Sequence, residues 1–343
     1  MNEKMKSKKN EGIQSLRGIA CIIVVLSHYI GAFPLTENHI ISIWSKTPIR
    51  VLWNGSVAVD IFFVLSGFFY INSNINNYWK EVKKRFIRLY PAYFGAICFG
   101  IIGRVTNWRG NILKGTEWVN SQWQNRMSIA EIIKGFIFFP TFDATTINGA
   151  LWTMKIELMF IFLLPIIAML CSKMNGLIFA FISILIASFF CNATYFNFLM
   201  YLPMYAIGMV VRKNMDIMAS NVNKKENGRL YTFGILLAYV WIALASFFIQ
   251  NSYIMHLCVA IGTAVMIPCI MGLDINKNLF SIIGDYSYYI YLIHFVIMLW
   301  FRFIWDEYSY YLYLLTCLAT TMFITIAFFK IDSYLHLFIF KKE

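Results

Sequence analysis

Apolar runs of roughly 16 to 22 residues follow one another along almost the whole chain, separated by short polar turns. Each is close to the ~20 residues needed to cross ~30 Å of hydrocarbon as a helix. The pattern predicts about ten transmembrane helices, at 13–33, 53–72, 89–105, 150–171, 177–192, 197–212, 230–249, 254–272, 280–301 and 309–330. An even number places both termini on one side. No stretch remains for a soluble domain, so the expectation is an all-α integral membrane protein in which residues 1–343 form one transmembrane bundle without a soluble C-terminal domain. The longest connection, 106–149, contains "MSIAEIIKGFIFFP", patterned as an amphipathic helix at the membrane interface. A cover over a substrate site and a purely structural lid are both open for it.

Composition agrees with this reading: 59% of residues are hydrophobic and 13% charged, against about a quarter charged in soluble domains. The net charge of +12 is a topology signal, because Lys and Arg concentrate in cytoplasmic loops. With the N-terminus inside, 19 of the 29 Lys and Arg fall in cytoplasmic segments and 8 in outer ones. Both termini are therefore expected to be cytoplasmic, and the charge gives no reason to expect a nucleic-acid partner. The basic start and first apolar run form a retained helix, since no small-x-small cleavage site follows. The seven cysteines fall singly in or beside apolar runs, without CxxC spacing, and predict no metal site.

Against this apolar background the buried polar positions stand out. "SLRGIACIIVVLSHY" carries Arg17 and His28 eleven residues apart, a rotation of about 20° past three turns and a rise of about 16 Å. They share one face with Ala20, Cys21 and Val24, which predicts a stripe turned into the bundle. An ionisable group inside a span costs about 2.5–3.5 kcal/mol and usually lines a pathway or a site. Arg17 alone is also compatible with snorkelling to the headgroups. His28, near mid-span, is either a neutral imidazole satisfied by a neighbouring helix or a general base. "NGSVAVDIFFVLSGFFY" adds Asp60, and "GALWTMKIELMFIFLLP" adds Trp152, Lys155 and Glu157, the last two on different faces. A carboxylate from either segment is a candidate to orient His28, and a structural ion pair is the alternative.

"KEVKKRFIRLYPAY" places Arg85 and Arg88 one turn apart where the third span begins. Contact with anionic lipid is one reading and a phosphate clamp the other, since the planar guanidinium fork suits bidentate phosphate contact. "IGDYSYYIYLIHFVIMLW" sets Tyr286, Ser287, Tyr291 and His294 in one span. Ser287 and His294, two turns apart, either line a cavity or join helices.

Taken together these stretches resemble the acyltransferase-3 family of membrane acyltransferases, which modify surface glycans, lipids and small molecules. The resemblance runs through "SLRGIACIIVVLSHY", "SVAVDIFFVLSGFF", "RFIRLYPAY", "LWTMKIELMF", "YLPMYAIGMVV" and "IGDYSYYIYLIH", in the family's order. It implies Arg17 and His28 as essential active-site residues, Arg85 and Arg88 as contacts to an acyl-CoA donor, and Glu157 as a further essential carboxylate. Two positions depart from the pattern: the glycine before the Asp60 helix is shifted to Gly55, and Lys155 stands where the family has a small or polar residue.

The expectation is an O-acetyltransferase of a bacterial inner membrane, moving acetyl from cytoplasmic acetyl-CoA to a hydroxyl of a surface polysaccharide or lipid-linked glycan. His28 is its expected base, Glu157 or Asp60 its orienting carboxylate, Arg17 a stabiliser of donor or oxyanion charge, and Arg85 and Arg88 the CoA clamp. Trp152, Lys155, Tyr286, Ser287 and His294 are candidate substrate-lining residues. Direct transfer and an acyl-enzyme relay are both open, because no activated nucleophile is identified. The rival is a secondary transporter or glycan flippase, which predicts repeated halves and broken helices in matching places; the sequence has neither.

Overall fold

The side chain of Asn10 accepts the N–H of Ile13 and starts α1, Glu11–Gly31, at the first residue of the chain that the structure describes. The structure is a computed structural model that describes residues 10–34, 39–71, 75–106, 112, 114–124, 127–137, 144–192, 196–219 and 227–340. Side chains at 39–40, 216–219, 305–307 and 335–340 are not described. The lysines before residue 10, Lys224, Lys225, Lys341 and Lys342, which entered the charge count, lie outside the described residues. So do 107–111 and 138–143 of the outer connection.

After α1 come α2 (His39–Ser45), α3 (Gly55–Tyr70), α4 (Tyr78–Thr106), α5 (Glu117–Ser121), α6 (Ile129–Phe136), α7 (Leu151–Lys173), α8 (Gly176–Phe190) and α9 (Leu202–Ala219). The chain continues through α10 (Gly228–Phe248), α11 (Ser252–Gly272), α12 (Leu279–Glu307) and α13 (Tyr310–Phe340). No strand occurs among the described residues. Each of the ten segments expected to span is helical, but among the described residues seven helices are long and apolar enough to cross a membrane: α1, α4, α7, α10, α11, α12 and α13. The other three fall short for visible reasons. The apolar α3 and α8 have 16 and 15 residues, and the second half of α9 is polar, with Arg212, Lys213, Asn214 and Asp216.

Small residues set the packing at the centre of the bundle. A Cβ on Gly284 would lie 1.9 Å from the Gln14 carbonyl oxygen, and one on Gly18 2.0 Å from that of Phe280, so α1 and α12 touch backbone to backbone. Gly67 and Gly208 do the same for α3 and α9, where added Cβ atoms would lie 2.1 Å from the Tyr205 oxygen and 2.0 Å from the Val64 oxygen. The α1–α12 pair is parallel and in constant register: Cys21 Sγ meets the Ser287 carbonyl and His28 meets His294, both at a sequence separation of 266. Ala20, Cys21 and Val24 are buried, so the predicted stripe of α1 does face inward.

The outer connection is fastened to the bundle by buried donors. Arg302, 2% exposed, donates to the carbonyls of Val119 and Gln122. Trp123 Nε1 donates to the Ile147 carbonyl, and the buried Asn148 donates to the Leu292 carbonyl. Within the connection, α6 carries a capping box between Ser128 and Glu131. The Ser128 N–H bound to its oxygen holds the Glu131 carboxyl below the usual carboxylate range. Ile129 and Ile133 on α6 are exposed, in keeping with the amphipathic pattern read from the sequence.

Candidate active site

A cavity of about 820 Å³ opens between α1, α3, α4, α7, α9, α12 and α13. Arg17, Arg85, Arg88 and Glu157 all line it, so positions up to 140 residues apart in sequence converge on one space. They do so because Arg17 lies near the start of α1 and Arg85 and Arg88 near the start of α4, at the end of the bundle where α3 and α13 finish. Arg85 is half-buried with its guanidinium over the Tyr70 ring, and Arg88 is exposed. Arg17 is half-buried and donates to Gln14 Oε1 at 3.5 Å. Two carboxylates share the lining. Glu157 accepts from Ser66 Oγ at 2.9 Å, and Asp332 accepts from Tyr289 Oη at 2.7 Å.

The cavity reaches up to Thr153 and Tyr291, whose hydroxyls lie 2.6 Å apart, with Tyr291 donating onward to the Ala150 carbonyl. Just beyond this wall stands His294, its ring centroid 5.6 Å from that of Tyr291. His294 Nε2 is 2.9 Å from His28 Nδ1. On its other side His28 stacks against Trp118 of α5, centroids 5.8 Å apart at 19°, and meets the edge of Phe295. The outer connection therefore does lie over the mid-span histidine, by way of Trp118. His28 is half-buried and His294 fully buried.

Two expectations about partners need correction. Neither Glu157 nor Asp60 touches His28. Glu157 is engaged by Ser66, and Asp60, fully buried on α3, pairs with His256 Nδ1 of α11 at 2.7 Å. His256 was absent from the sequence reading, although an ionisable residue in an apolar run was the signal that singled out His28. Lys155 is half-buried, off the cavity lining, and forms no ion pair within 4 Å among the described residues; α7 turns it away from Glu157. Trp152 packs by Tyr201, next to the Asp60–His256 pair, and Tyr286 packs on Phe329. Of the five candidate lining residues Ser287 alone lines the cavity, and its hydroxyl donates to the Gly284 carbonyl. Tyr291, singled out in the sequence with that span, also lines it, while Ser66, Tyr70 and Thr153 do so unforeseen, since hydroxyls scattered through apolar runs carry no spacing signal, as does Asp332 near the end of α13.

A family model described as an acyltransferase domain matches residues 10–330, nearly the whole chain, including Arg17, Arg85, Arg88 and Glu157 of the cavity lining. The chain belongs to the acyltransferase-3 family. Its activity class is therefore acyl transfer, and its apolar helices are those of a membrane acyltransferase. No curated protein and no solved structure matches it. No cluster of three metal-binding side chains occurs among the described residues.

Proposed function

We propose that this acyltransferase is an O-acetyltransferase of the inner membrane that moves acetyl from cytoplasmic acetyl-CoA to a hydroxyl of a surface polysaccharide or lipid-linked glycan such as an O-antigen. One observation carries the reading: a cavity with three guanidinium groups at one end stops, at the other, one aromatic ring short of a histidine pair. Arg85 and Arg88 hold CoA phosphates, where a planar fork gives two hydrogen bonds to one phosphate. Arg17 sits about 16 Å below His28 along α1, too far to serve an oxyanion beside the imidazole, so its role is toward the donor. The thin pantetheine arm then runs up the cavity toward Thr153 and Tyr291.

The acceptor arrives from the opposite face, past Trp118. His28 takes the proton of its hydroxyl as the oxygen bonds to the acyl carbon. The thioester C–S bond breaks, and the proton held on His28 passes to the departing thiolate, leaving ester and free CoA. Both termini are cytoplasmic in this reading, which the Lys and Arg distribution supports.

The test is release of free CoA thiol by the purified protein, given acetyl-CoA with and without acceptor glycan, paired with mass spectrometry of surface glycans from cells with and without it. Acceptor-dependent thiol release and a glycan mass difference of one acetyl are expected. An intact glycan profile with no thiol release would return the chain to the acyltransferase class without this substrate pair.

A further inference from the structure

The two histidines that meet behind the cavity are not equivalent, and their hydrogen bonds say which proton sits where. His294 Nδ1 lies 2.8 Å from the Tyr291 carbonyl oxygen and 3.1 Å from that of Ile290. Carbonyl oxygens only accept, so His294 Nδ1 carries a hydrogen. In the neutral ring its Nε2 then has the lone pair, and the 2.9 Å contact is made by His28 Nδ1 donating to it. With Nδ1 as the donor, His28 Nε2 of the neutral ring keeps its lone pair, and the Val24 carbonyl one turn back is a further hydrogen-bond partner of the His28 ring. A half-buried imidazole with a free Nε2 lone pair is the form a general base needs.

We infer that His294 is a positioning residue that locks His28 in its Nδ1–H tautomer, doing with a carbonyl-anchored imidazole what a carboxylate does in other catalytic dyads. The inference rests on the base role proposed for His28. The geometry favours it over a structural role alone because the chain of bonds has a direction: two main-chain carbonyls of α12 fix one ring, and that ring fixes the next. On proton transfer His28 becomes an imidazolium that still donates to His294 Nε2, so the contact serves before and after the step.

The test reads the tautomer directly. Full-length protein labelled with ¹⁵N at histidine gives ring-nitrogen shifts that separate Nδ1–H from Nε2–H, with His28 assigned by its loss in His28→Ala. The wild type is expected to show His28 as Nδ1–H. His294→Leu should let the Nε2–H form appear, while His294→Gln, whose side-chain carbonyl can accept the same hydrogen, should keep it out. In the acetyl-transfer assay His294→Leu should lower kcat by a factor on the order of 10² to 10⁴, the size expected for a base held in the wrong tautomer, with KM for acetyl-CoA unchanged. Partial recovery is expected in His294→Gln. A wild-type His28 found as Nε2–H overturns the inference whatever the His294 variants do, and so does an unchanged tautomer in His294→Leu. A change in KM with kcat retained would also overturn it, making His294 part of the donor pocket. If the wild type transfers no acetyl, the base role fails while the shifts still decide the tautomer.

Discussion

Among the described residues the bundle holds two histidine pairs of different kinds. His256 meets the carboxylate of Asp60 between α11 and α3, and His28 meets the imidazole of His294 between α1 and α12. Neither pair lines the cavity, but the first is sealed within the helices: Asp60 is fully buried and His256 nearly so. The second stands between the cavity wall and Trp118 of α5, and its leading member is half-buried. A carboxylate satisfies a buried histidine most strongly, yet the carboxylate-bound His256 is the one shut inside the helices, while His28 is half-buried beneath Trp118. Placement relative to the open space, rather than strength of the pairing, separates a site from a tie between helices.

The comparison breaks most sharply on His28 itself. His28→Ala is expected to abolish acetyl transfer, a loss on the order of 10² or more, in a protein whose thermal unfolding in detergent is little changed. Near wild-type turnover in a folded variant would make the two pairs alike. His256→Leu should do the reverse. It leaves the Asp60 carboxylate buried without its partner, which costs about 3–5 kcal/mol of stability, and replacing both residues by Leu should recover most of that. Unfolding measurements on the single and double variants check this, and turnover per folded molecule should hold near wild type.

A smaller effect is expected at the other end of the cavity. Changing Arg85 and Arg88 together to Lys keeps the charge that orients the protein but removes the planar forks, so acetyl-CoA affinity should drop about tenfold with orientation intact. Calorimetric titration with acetyl-CoA, beside a protease-accessibility map of the loops, separates clamp from lipid contact. Least of all should follow from Lys155→Met. The ammonium makes no ion pair and lies off the cavity, so stability and turnover are expected to move within about 0.5 kcal/mol, and a large loss in either would reopen its link to Glu157.

Much of this was legible in the apolar pattern. Helix-length runs placed the ten principal helices to within a few residues at most ends, because hydrophobic length is a local property. α4, α9, α12 and α13 are the exceptions, each extending well beyond its expected span, α4 on a basic first stretch. The convergence of Arg17, Arg85, Arg88 and Glu157 on one cavity followed the resemblance of their motifs. Partner choice was not legible. Asp60 and Glu157 were each plausible for His28 by depth alone, and the azimuth of α3 and α7 about their axes, set by the Gly67–Gly208 contact and by packing, sends one to His256 and the other to Ser66. Lys155 was a prominent departure in the sequence and is inconspicuous in the fold, since two residues along a helix turn a side chain through about 200°.

The glycines of α1 and α12 bear on heredity as much as on packing. Gly18 precedes His28 by ten residues, and Gly284 precedes His294 by the same ten. Two parallel helices clamped at their glycines therefore carry their imidazoles up equal lengths, about 15 Å, to meet at one height. One inserted or deleted codon in either ten-residue stretch would swing its imidazole by about 100° and out of reach, however conservative the residue added. Substitutions along these stretches can be absorbed one at a time, whereas a length change would have to occur in both helices at once. The interval between glycine and histidine should therefore drift far less in length than in spelling.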